Sequence, residues 1–98
     1  MPIPTACAAI DQGVCLELHY DGFTRVVEVH CVGTTTAGNP AMRVYQIRGG
    51  SSSGERIGWK LLTFDKTFRV SLLDEPSEAP RQGYQPGDKG MAQIIREV

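Results

Sequence analysis

The chain has 98 residues, with 10 Lys and Arg against 11 Asp and Glu and a net charge of -1 at pH 7. Its 41% hydrophobic and 21% charged residues are an ordinary globular composition, which excludes a disordered or collagen-like chain. The global charge gives no argument for binding nucleic acid or a membrane surface. We therefore expect a single domain that covers residues 1–98.

The amino-acid sequence predicts a cytoplasmic protein without a membrane partner. No apolar run approaches the roughly 18 residues that a membrane span requires, and the first residues lack the Lys or Arg that opens a signal peptide. Cys7, Cys15 and Cys31 are an odd set without a CxxC pair. Such a set is typical of free thiols in a reducing compartment.

Residues 14–20, with the sequence VCLELHY, alternate between apolar and polar side chains and predict a half-buried strand. The Asp21-Gly22 dipeptide follows directly and tolerates the positive φ angles of a type I′ turn. Residues 23–32 are therefore predicted to return as the antiparallel partner, with Tyr20 opposite Phe23.

A third strand is predicted from Met42 to about Arg48, with apolar residues on both of its faces. A helix, a returning strand or another subunit must therefore cover its second face. Residues 49–58 contain GGSSSG and are predicted to form a flexible loop.

Residues 59–64 and 67–73 are predicted to form a second hairpin joined by Asp65-Lys66. Its inner face is predicted to carry three apolar side chains, namely Phe68, Val70 and Leu72.

The two ends of the chain are predicted to be helical. Residues 4–12 are compatible with a short N-terminal helix, and residues 74–87, rich in Pro and Gly, predict an irregular segment. Asp88 is a candidate N-cap for a short helix at about 88–97, because apolar residues recur there at spacings of three and four: Met91, Ile94, Ile95 and Val98. The prediction is a mainly β protein, a small SH3/Sm-like, five-stranded, partly open barrel whose core strands occupy about 14–73.

Basic residues concentrate in the middle of the chain. Residues 40–70 carry six Lys or Arg and two acidic residues, a net charge of +4, interleaved with aromatic residues. Guanidinium groups bind phosphate in a bidentate manner and aromatic rings stack on bases, so this pattern favours an anionic ligand, with a nucleotide or a single-stranded nucleic acid as candidates. The alternative is that these basic residues form ordinary solvated strand faces and that the aromatic residues fill the core.

The sequence gives no pattern that is typical of an enzyme or a metal site. His19 and His30 lie far apart along the predicted ladder, so no metal site is expected. Ser51 and Ser53 lack a G-x-S-x-G turn, and the segment GGSSSGERIG lacks the Gly-Lys-Ser/Thr of a phosphate loop. We expect no catalytic residue and no cofactor.

The order of LELHY, TRVVEVH, MRVYQIR and GWKLLTFDK, followed by an alternating apolar strand, resembles the WYL domain. This domain is a bacterial Sm/SH3-like barrel that is usually attached to a helix-turn-helix module. The resemblance covers about residues 14–73, and the tail GYQPGDKGMAQIIREV is similar to the ending of a short, stand-alone WYL-like group. The chain departs from the family in four respects: Val44-Tyr45-Gln46 replaces Trp-Tyr-Leu, Val29 lies where proline is frequent, Lys60 and Lys66 lie where arginine is commoner, and no room is left for the helix-turn-helix module.

The resemblance implies a regulatory module that senses ligands, often nucleic acids or nucleotides, through basic and polar residues of the barrel. By position, Arg25 resembles the arginine that opens the second strand, Tyr45 lies in the segment like the Trp-Tyr-Leu strand, and Trp59-Lys60 resembles the Arg-rich fourth strand. We therefore expect a non-enzymatic module that binds an anionic ligand. The expected ligand-binding residues are Arg25, Arg43, Tyr45, Arg48, Trp59 and Lys60.

The alternative function is a protein–protein interaction or homodimerisation module without a small ligand. In that case the third strand, with Ile47, Val26 or Val32, pairs with another subunit and obtains the cover that its second face lacks.

Overall fold

The computed structural model describes residues 2–98. These residues form one α-helix, six strands and a short 3-10 turn. The bounds are α1 Ile3–Gln12, β1 Val14–Tyr20, β2 Phe23–Thr35, β3 Pro40–Gly49, β4 Gly58–Thr63, the 3-10 turn Phe64–Lys66, β5 Thr67–Pro76 and β6 Met91–Glu97. The protein is thus mainly β, and the predicted N-terminal helix is confirmed.

All strand pairs are antiparallel, and the strands lie in the order β4-β3-β2-β1-β5, with β6 paired to β2. β1 and β6 share one edge of β2. The first part of that edge, Phe23–Val27, pairs with β1, and the last part, Cys31–Thr35, pairs with β6. The other edge of β2 pairs with β3 from Arg25 to Thr34. The result is a small, partly open β-sheet fold.

The first hairpin forms as the sequence predicts. Asp21 and Gly22 have φ angles of 51° and 81°, the positive values that a type I′ turn requires. The turn pairs Tyr20 with Phe23 and His19 with Thr24.

The predicted second hairpin is wrong. β4 pairs with β3 and β5 pairs with β1, so the two strands lie at opposite ends of the sheet order. The 3-10 turn connects the two strands. It is stabilised by Phe64, which is buried in the core, and by a hydrogen bond of 2.8 Å that Thr67 Oγ1 donates to the Thr63 carbonyl.

The predicted inner face of β5 is also wrong. Phe68 is 59% exposed and Leu72 is 37% exposed, and of the three predicted residues only Val70 packs against the core. The pairing of β5 with β1 contains two register shifts, and Arg69 has a φ of 53°. These irregularities break the strict alternation on which the prediction relied.

The predicted C-terminal helix is a strand, β6. The last residues of β2 extend beyond β1, and β6 supplies hydrogen-bond partners for that otherwise unpaired edge. Met91 and Ile94 pack beside Cys31, whereas Ile95 is 51% exposed, so no helical stripe forms. Asp88 caps a turn instead, because its Oδ1 accepts a hydrogen bond of 2.9 Å from Gly90 N.

The core lies on the face of the sheet that α1 covers. Ala6 and Ala9 of α1 pack with buried strand residues such as Leu16, Val27 and Val44. We call this side the core face. The opposite side, which carries Glu28 and Tyr45, we call the outer face.

Residues 77–90, which we call the return segment, cover part of the outer face. Arg81 of this segment contacts Glu28 of β2, and Asp88 contacts Arg43 of β3. The chain itself therefore covers the second face of the third strand at Arg43 and Tyr45. No helix within residues 2–98 has the length and the apolar character needed to cross a membrane.

Gly33 permits the close approach of β6 to β2. A Cβ at this position would collide with the carbonyl oxygen of Gln93 and lie 3.1 Å from Ile94 Cα. We expect Gly33→Ala to lower the free energy of unfolding by about 1–3 kcal/mol, because the backbone of β6 must shift. Urea denaturation checks this value. Thr36→Ala, in an exposed turn, is the control and is expected to change stability by less than about 0.5 kcal/mol; equal effects of the two substitutions would contradict the explanation.

Candidate functional site

The six residues predicted to bind a ligand divide between the two faces of the sheet. Alternation along a strand sends neighbouring side chains to opposite faces. On β4, Trp59 pairs with Tyr45 on the outer face, and Lys60 pairs with the buried Val44 on the core face. Arg25 pairs with Leu18, a core residue, and therefore belongs to the core face.

Arg25 is a buried cation without a carboxylate partner. Its side chain is 3% exposed, and among residues 2–98 no carboxylate oxygen lies within 4.0 Å of its nitrogens. Nη1 donates a hydrogen bond of 3.3 Å to Gln46 Oε1, whereas the buried Nε has no partner. Its guanidinium lies 5.1 Å from the ring centroid of Tyr20 and 5.8 Å from that of Phe23. Burial lowers the pKa of Arg25.

The β3–β4 loop, residues 50–57, connects Arg25 to a second cation. Gln46 Nε2 donates a hydrogen bond of 3.0 Å to the Gly50 carbonyl. Lys60 Nζ donates to Ser51 Oγ at 3.2 Å and to Ser53 Oγ at 3.3 Å. Lys60 also has no carboxylate partner among the described residues. We call the set formed by Arg25, Gln46, Lys60, Ser51 and Ser53 the cation cluster.

A groove of about 450 Å³ lies beside the cation cluster. Three lining residues connect the groove to the cluster: Phe23 lies against the Arg25 guanidinium, Gly49 pairs with Arg25 in the sheet, and the Gly50 carbonyl accepts a hydrogen bond from Gln46. The remaining lining combines charge and apolar surface, from Ile47, Arg48, Arg56 and Ile57.

Two of the predicted site residues are neutralised by carboxylates. Arg43 Nε donates to Asp88 Oδ2 at 2.7 Å, and Arg48 Nη2 donates to Glu75 Oε1 at 2.7 Å. The arginine hydrogen bonds lower the pKa of both carboxyl groups. The six predicted residues are thus not brought to one place, and the cations of the cluster are Arg25 and Lys60.

The outer face carries an ion pair between the buried Glu28 and the partly exposed Arg81, and this pair holds the return segment. Glu28, which is 1% exposed, accepts hydrogen bonds from Arg81 Nε at 2.6 Å and from Glu78 N at 2.7 Å. His30 Nδ1 donates to the Glu28 carbonyl at 3.0 Å, and His30 Nε2 accepts from Arg81 N at 2.9 Å. These partners require the neutral imidazole with its proton on Nδ1.

Aromatic rings fill the space between His30 and the return segment. Trp59 lies edge-on to His30 at 4.7 Å and to Tyr45 at 5.3 Å between ring centroids, and it stacks with Tyr84 at 6.1 Å. The Tyr84 hydroxyl donates to Glu97 Oε1 at 2.7 Å. A cavity of about 200 Å³ opens beside these rings, lined by Arg43, Trp59, Gly83, Tyr84, Gln85 and Asp88.

Several residues of the outer face were not predicted as functional from the sequence. Tyr84 is an aromatic residue within a segment rich in Pro and Gly, and Glu28 is a charged residue within a largely apolar strand. Both are signals of a specific contact, because a large aromatic or a charge in such a place needs a partner. The partners themselves, such as Arg81 for Glu28, are not visible in local patterns.

No group of three or more His, Cys, Asp or Glu within residues 2–98 is arranged to hold a metal ion. Cys15 and Cys31 are buried free thiols, and burial raises the pKa of Cys15 to about 11. Such thiols are weak nucleophiles at neutral pH.

The comparisons with known proteins found no matching family model, no similar curated protein and no similar solved structure. The resemblance to the WYL domain therefore stays a prediction.

His30 gives a testable pH dependence of stability. Burial holds the pKa of His30 below its ordinary value of 6.5, and a protonated Nε2 would face the Arg81 N–H donor. Because this pKa is depressed in the folded state, the stabilisation is complete above pH 6.5 and is lost as the pH falls through the folded-state pKa. We expect the unfolding free energy to decrease by up to about 1.4 kcal/mol per pH unit as the pH falls from 6.5 towards the folded-state pKa, and to level off below it.

Urea denaturation between neutral and mildly acidic pH checks this dependence. His30→Gln should remove the slope, whereas His19→Gln, on the first hairpin, should retain it. An unchanged slope in His30→Gln would show that another group is responsible.

Proposed function

We propose that the protein is a non-enzymatic binding module that recognises an anionic ligand at the cation cluster and the adjoining groove. The observation that carries this proposal is the burial of Arg25 without a carboxylate partner, in hydrogen-bonded continuity with the loop that also contacts Lys60. A bound anion would supply a closer counter-charge than residues 2–98 provide, since none of their carboxylate oxygens lies within 4.0 Å of the Arg25 nitrogens.

The physical argument rests on the cost of burying a charge. A guanidinium that is removed from water loses several kcal/mol of solvation, and an anionic partner with good hydrogen bonds repays much of that cost. The neighbouring rings of Tyr20 and Phe23 contribute cation–π attraction of about 1–2 kcal/mol, which offsets only part of it. The positive potential at the cluster therefore stays available to a ligand.

The residue types of the cluster favour a phosphate or carboxylate group. Lys60 together with the hydroxyls of Ser51 and Ser53 offers donors on the loop, and the buried Arg25 guanidinium adds a positive charge behind Phe23 and Gly50, which line the groove. Phe23 and Ile57 in the groove suit the ring or apolar part of the same ligand, and Arg56 adds a further cation. A nucleotide or a single-stranded nucleic acid combines these features, which also agrees with the regulatory role that the resemblance to the WYL domain implies.

The strand connections support an SH3/Sm-like fold. The first five strands are all antiparallel and lie in the order β4-β3-β2-β1-β5. A 3-10 turn connects β4 to β5, and β5 pairs with β1. Such small barrels host many binding functions, so the site, rather than the fold, carries the functional proposal.

The alternative of a homodimer or protein-interaction module has lost its main argument. That argument required an outside partner to cover the second face of the third strand, and the return segment contacts this face through Arg81 and Asp88. Sedimentation at high protein concentration tests the homodimer, because a strict monomer would argue against it, whereas the proposed ligand site is contained in one chain and is compatible with either state.

The proposed site is tested by titrating the protein with inorganic phosphate, adenosine monophosphate and a short oligo(dT) at low salt. We expect at least one probe to bind and to raise the melting temperature. Lys60→Met should weaken that binding by about 10- to 100-fold, because a hydrogen bond to a charged group contributes about 1.5–3 kcal/mol. If oligo(dT) binds, the logarithm of its affinity should fall with log salt at a slope of about -0.7 per phosphate contacted.

Lys66→Met is the matched control, because it removes the same charge from an exposed position in the 3-10 turn. It should leave the affinity nearly unchanged. Absence of binding for all three probes, or an equal loss in the two lysine variants, would refute the proposed site.

A further inference from the structure

The outer-face cavity has the size of a site for a single ring system. Its volume of about 200 Å³ lies below the ~300–1,000 Å³ of pockets that hold drug-sized ligands. It is bounded by β3 and β4 on one side and by the return segment on the other. The cavity is separate from the cation cluster, because Trp59 and Lys60 are neighbours on β4 and lie on opposite faces.

The cavity offers aromatic surface that is held in a fixed orientation. Trp59 and Tyr84 are both half-buried, with their ring planes inclined by only 29° to each other. His30 contacts the edge of Trp59, and the hydroxyl of Tyr84 is fixed by Glu97. Rings that are already positioned stack on a planar ligand at a low entropic cost.

The cavity contains hydrogen-bond donors in addition to the Asp88 carboxylate and the Gln85 amide. Arg43 uses Nε and Nη2 on Asp88, which leaves further guanidinium N–H groups for a ligand. The indole Nε1 of Trp59 lies beside Gly83, 3.7 Å from the position of a Cβ added to that glycine, and Trp59 is part of the cavity lining. A ligand that complements these groups carries acceptors on its edge.

The charge of the cavity disfavours an anion. Arg43 is already neutralised by Asp88 at 2.7 Å, and the carboxylate of Asp88 would repel a second negative group. Because Arg43 lowers the pKa of Asp88, this carboxylate remains ionised at neutral pH. The cavity thus selects for an uncharged group, in contrast to the cation cluster.

We propose that this cavity binds one uncharged, planar heteroaromatic ring with hydrogen-bond acceptors on its edge, a ligand of the nucleobase type. Trp59 and Tyr84 provide the stacking surface, and Arg43 and the Trp59 indole provide the donors. This site does not depend on the proposed anion site, since it uses other residues on the other face of the sheet.

The test uses nucleosides, which carry the heteroaromatic ring without a phosphate. Trp59 is the only tryptophan of the chain, so its fluorescence reports on this cavity directly. Titration with uridine and with adenosine should quench the emission in a saturable manner after correction for absorbance. Tyr84→Ala should weaken the binding about 10-fold or more, because it removes one stacking surface.

Two matched variants keep the result specific. Tyr84→Phe retains the ring and loses the hydroxyl that donates to Glu97, so it should still bind the nucleoside. Lys60→Met should also bind it with unchanged affinity, although the same variant impairs the proposed anion site. Failure of the anion site and failure of the cavity are thereby distinguishable.

A measurement on the unmodified chain covers the case in which Tyr84→Ala does not fold. The single indole N–H resonance in a ¹H–¹⁵N spectrum should shift in a saturable manner when uridine or adenosine is added. Quenching that stays linear and equals that of N-acetyltryptophanamide, together with an unshifted indole resonance, would overturn the proposal. Equal binding by the wild type and by a folded Tyr84→Ala variant would also overturn it.

Discussion

Two polar side chains of β2 hold the return segment against the sheet, and the whole outer face depends on them. Glu28 is buried and bound by Arg81 Nε at 2.6 Å and by Glu78 N at 2.7 Å, while His30 accepts a hydrogen bond from Arg81 N at 2.9 Å. Removal of Arg81 would leave the carboxylate of the buried Glu28 with the Glu78 N–H and no counter-charge, which is unfavourable because a buried charge has lost its solvation. Without this attachment, the apolar surface of β3 and the ring of Trp59 would lose their cover, and the cavity beside Tyr84 would lose one wall. The segment that looks like a surface excursion in the sequence therefore completes the fold.

β2 can support these contacts because side chains alternate along the strand. Glu28 and His30, two residues apart, both lie on the outer face, where His30 contacts the rings of Trp59 and Tyr84. The register with β3 shifts between Val29 and Cys31, which makes His30 the additional residue of a bulge. The neighbouring Val29 remains in the core. A single strand thus provides both the centre of the core and the anchor of the return segment.

Local patterns in the sequence predict the elements whose partners are near in the chain. The Asp21-Gly22 turn fixes the first hairpin, and the N-terminal helix is recognised from its composition. The errors concern pairings between distant segments. The spacing of Met91, Ile94 and Ile95 fits a helix, but a free edge at the end of β2, some 60 residues earlier, selects a strand. The same limit applies to the candidate site: the alternation of Trp59 and Lys60 is readable from the sequence, whereas the neutralisation of Arg43 by Asp88 joins residues 45 positions apart.

The net charge of the middle of the chain is therefore a weaker guide to binding than the partners of each cation. Residues 40–70 carry a net charge of +4, but Arg43 and Arg48 form ion pairs with Asp88 and Glu75, which neutralise their charge within the fold. Arg25 belongs to the acidic first part of the chain and yet is the buried cation that lacks a carboxylate among residues 2–98. Since the energy of a buried charge is set by groups within a few ångströms, the partners of each cation matter more than the total charge of a segment. Arg25 and Lys60 have no carboxylate within 4.0 Å among residues 2–98, whereas Arg43 beside the outer-face cavity is paired with Asp88. Trp59 and Lys60, neighbours on β4, thus lie on opposite faces of the sheet in different electrostatic surroundings.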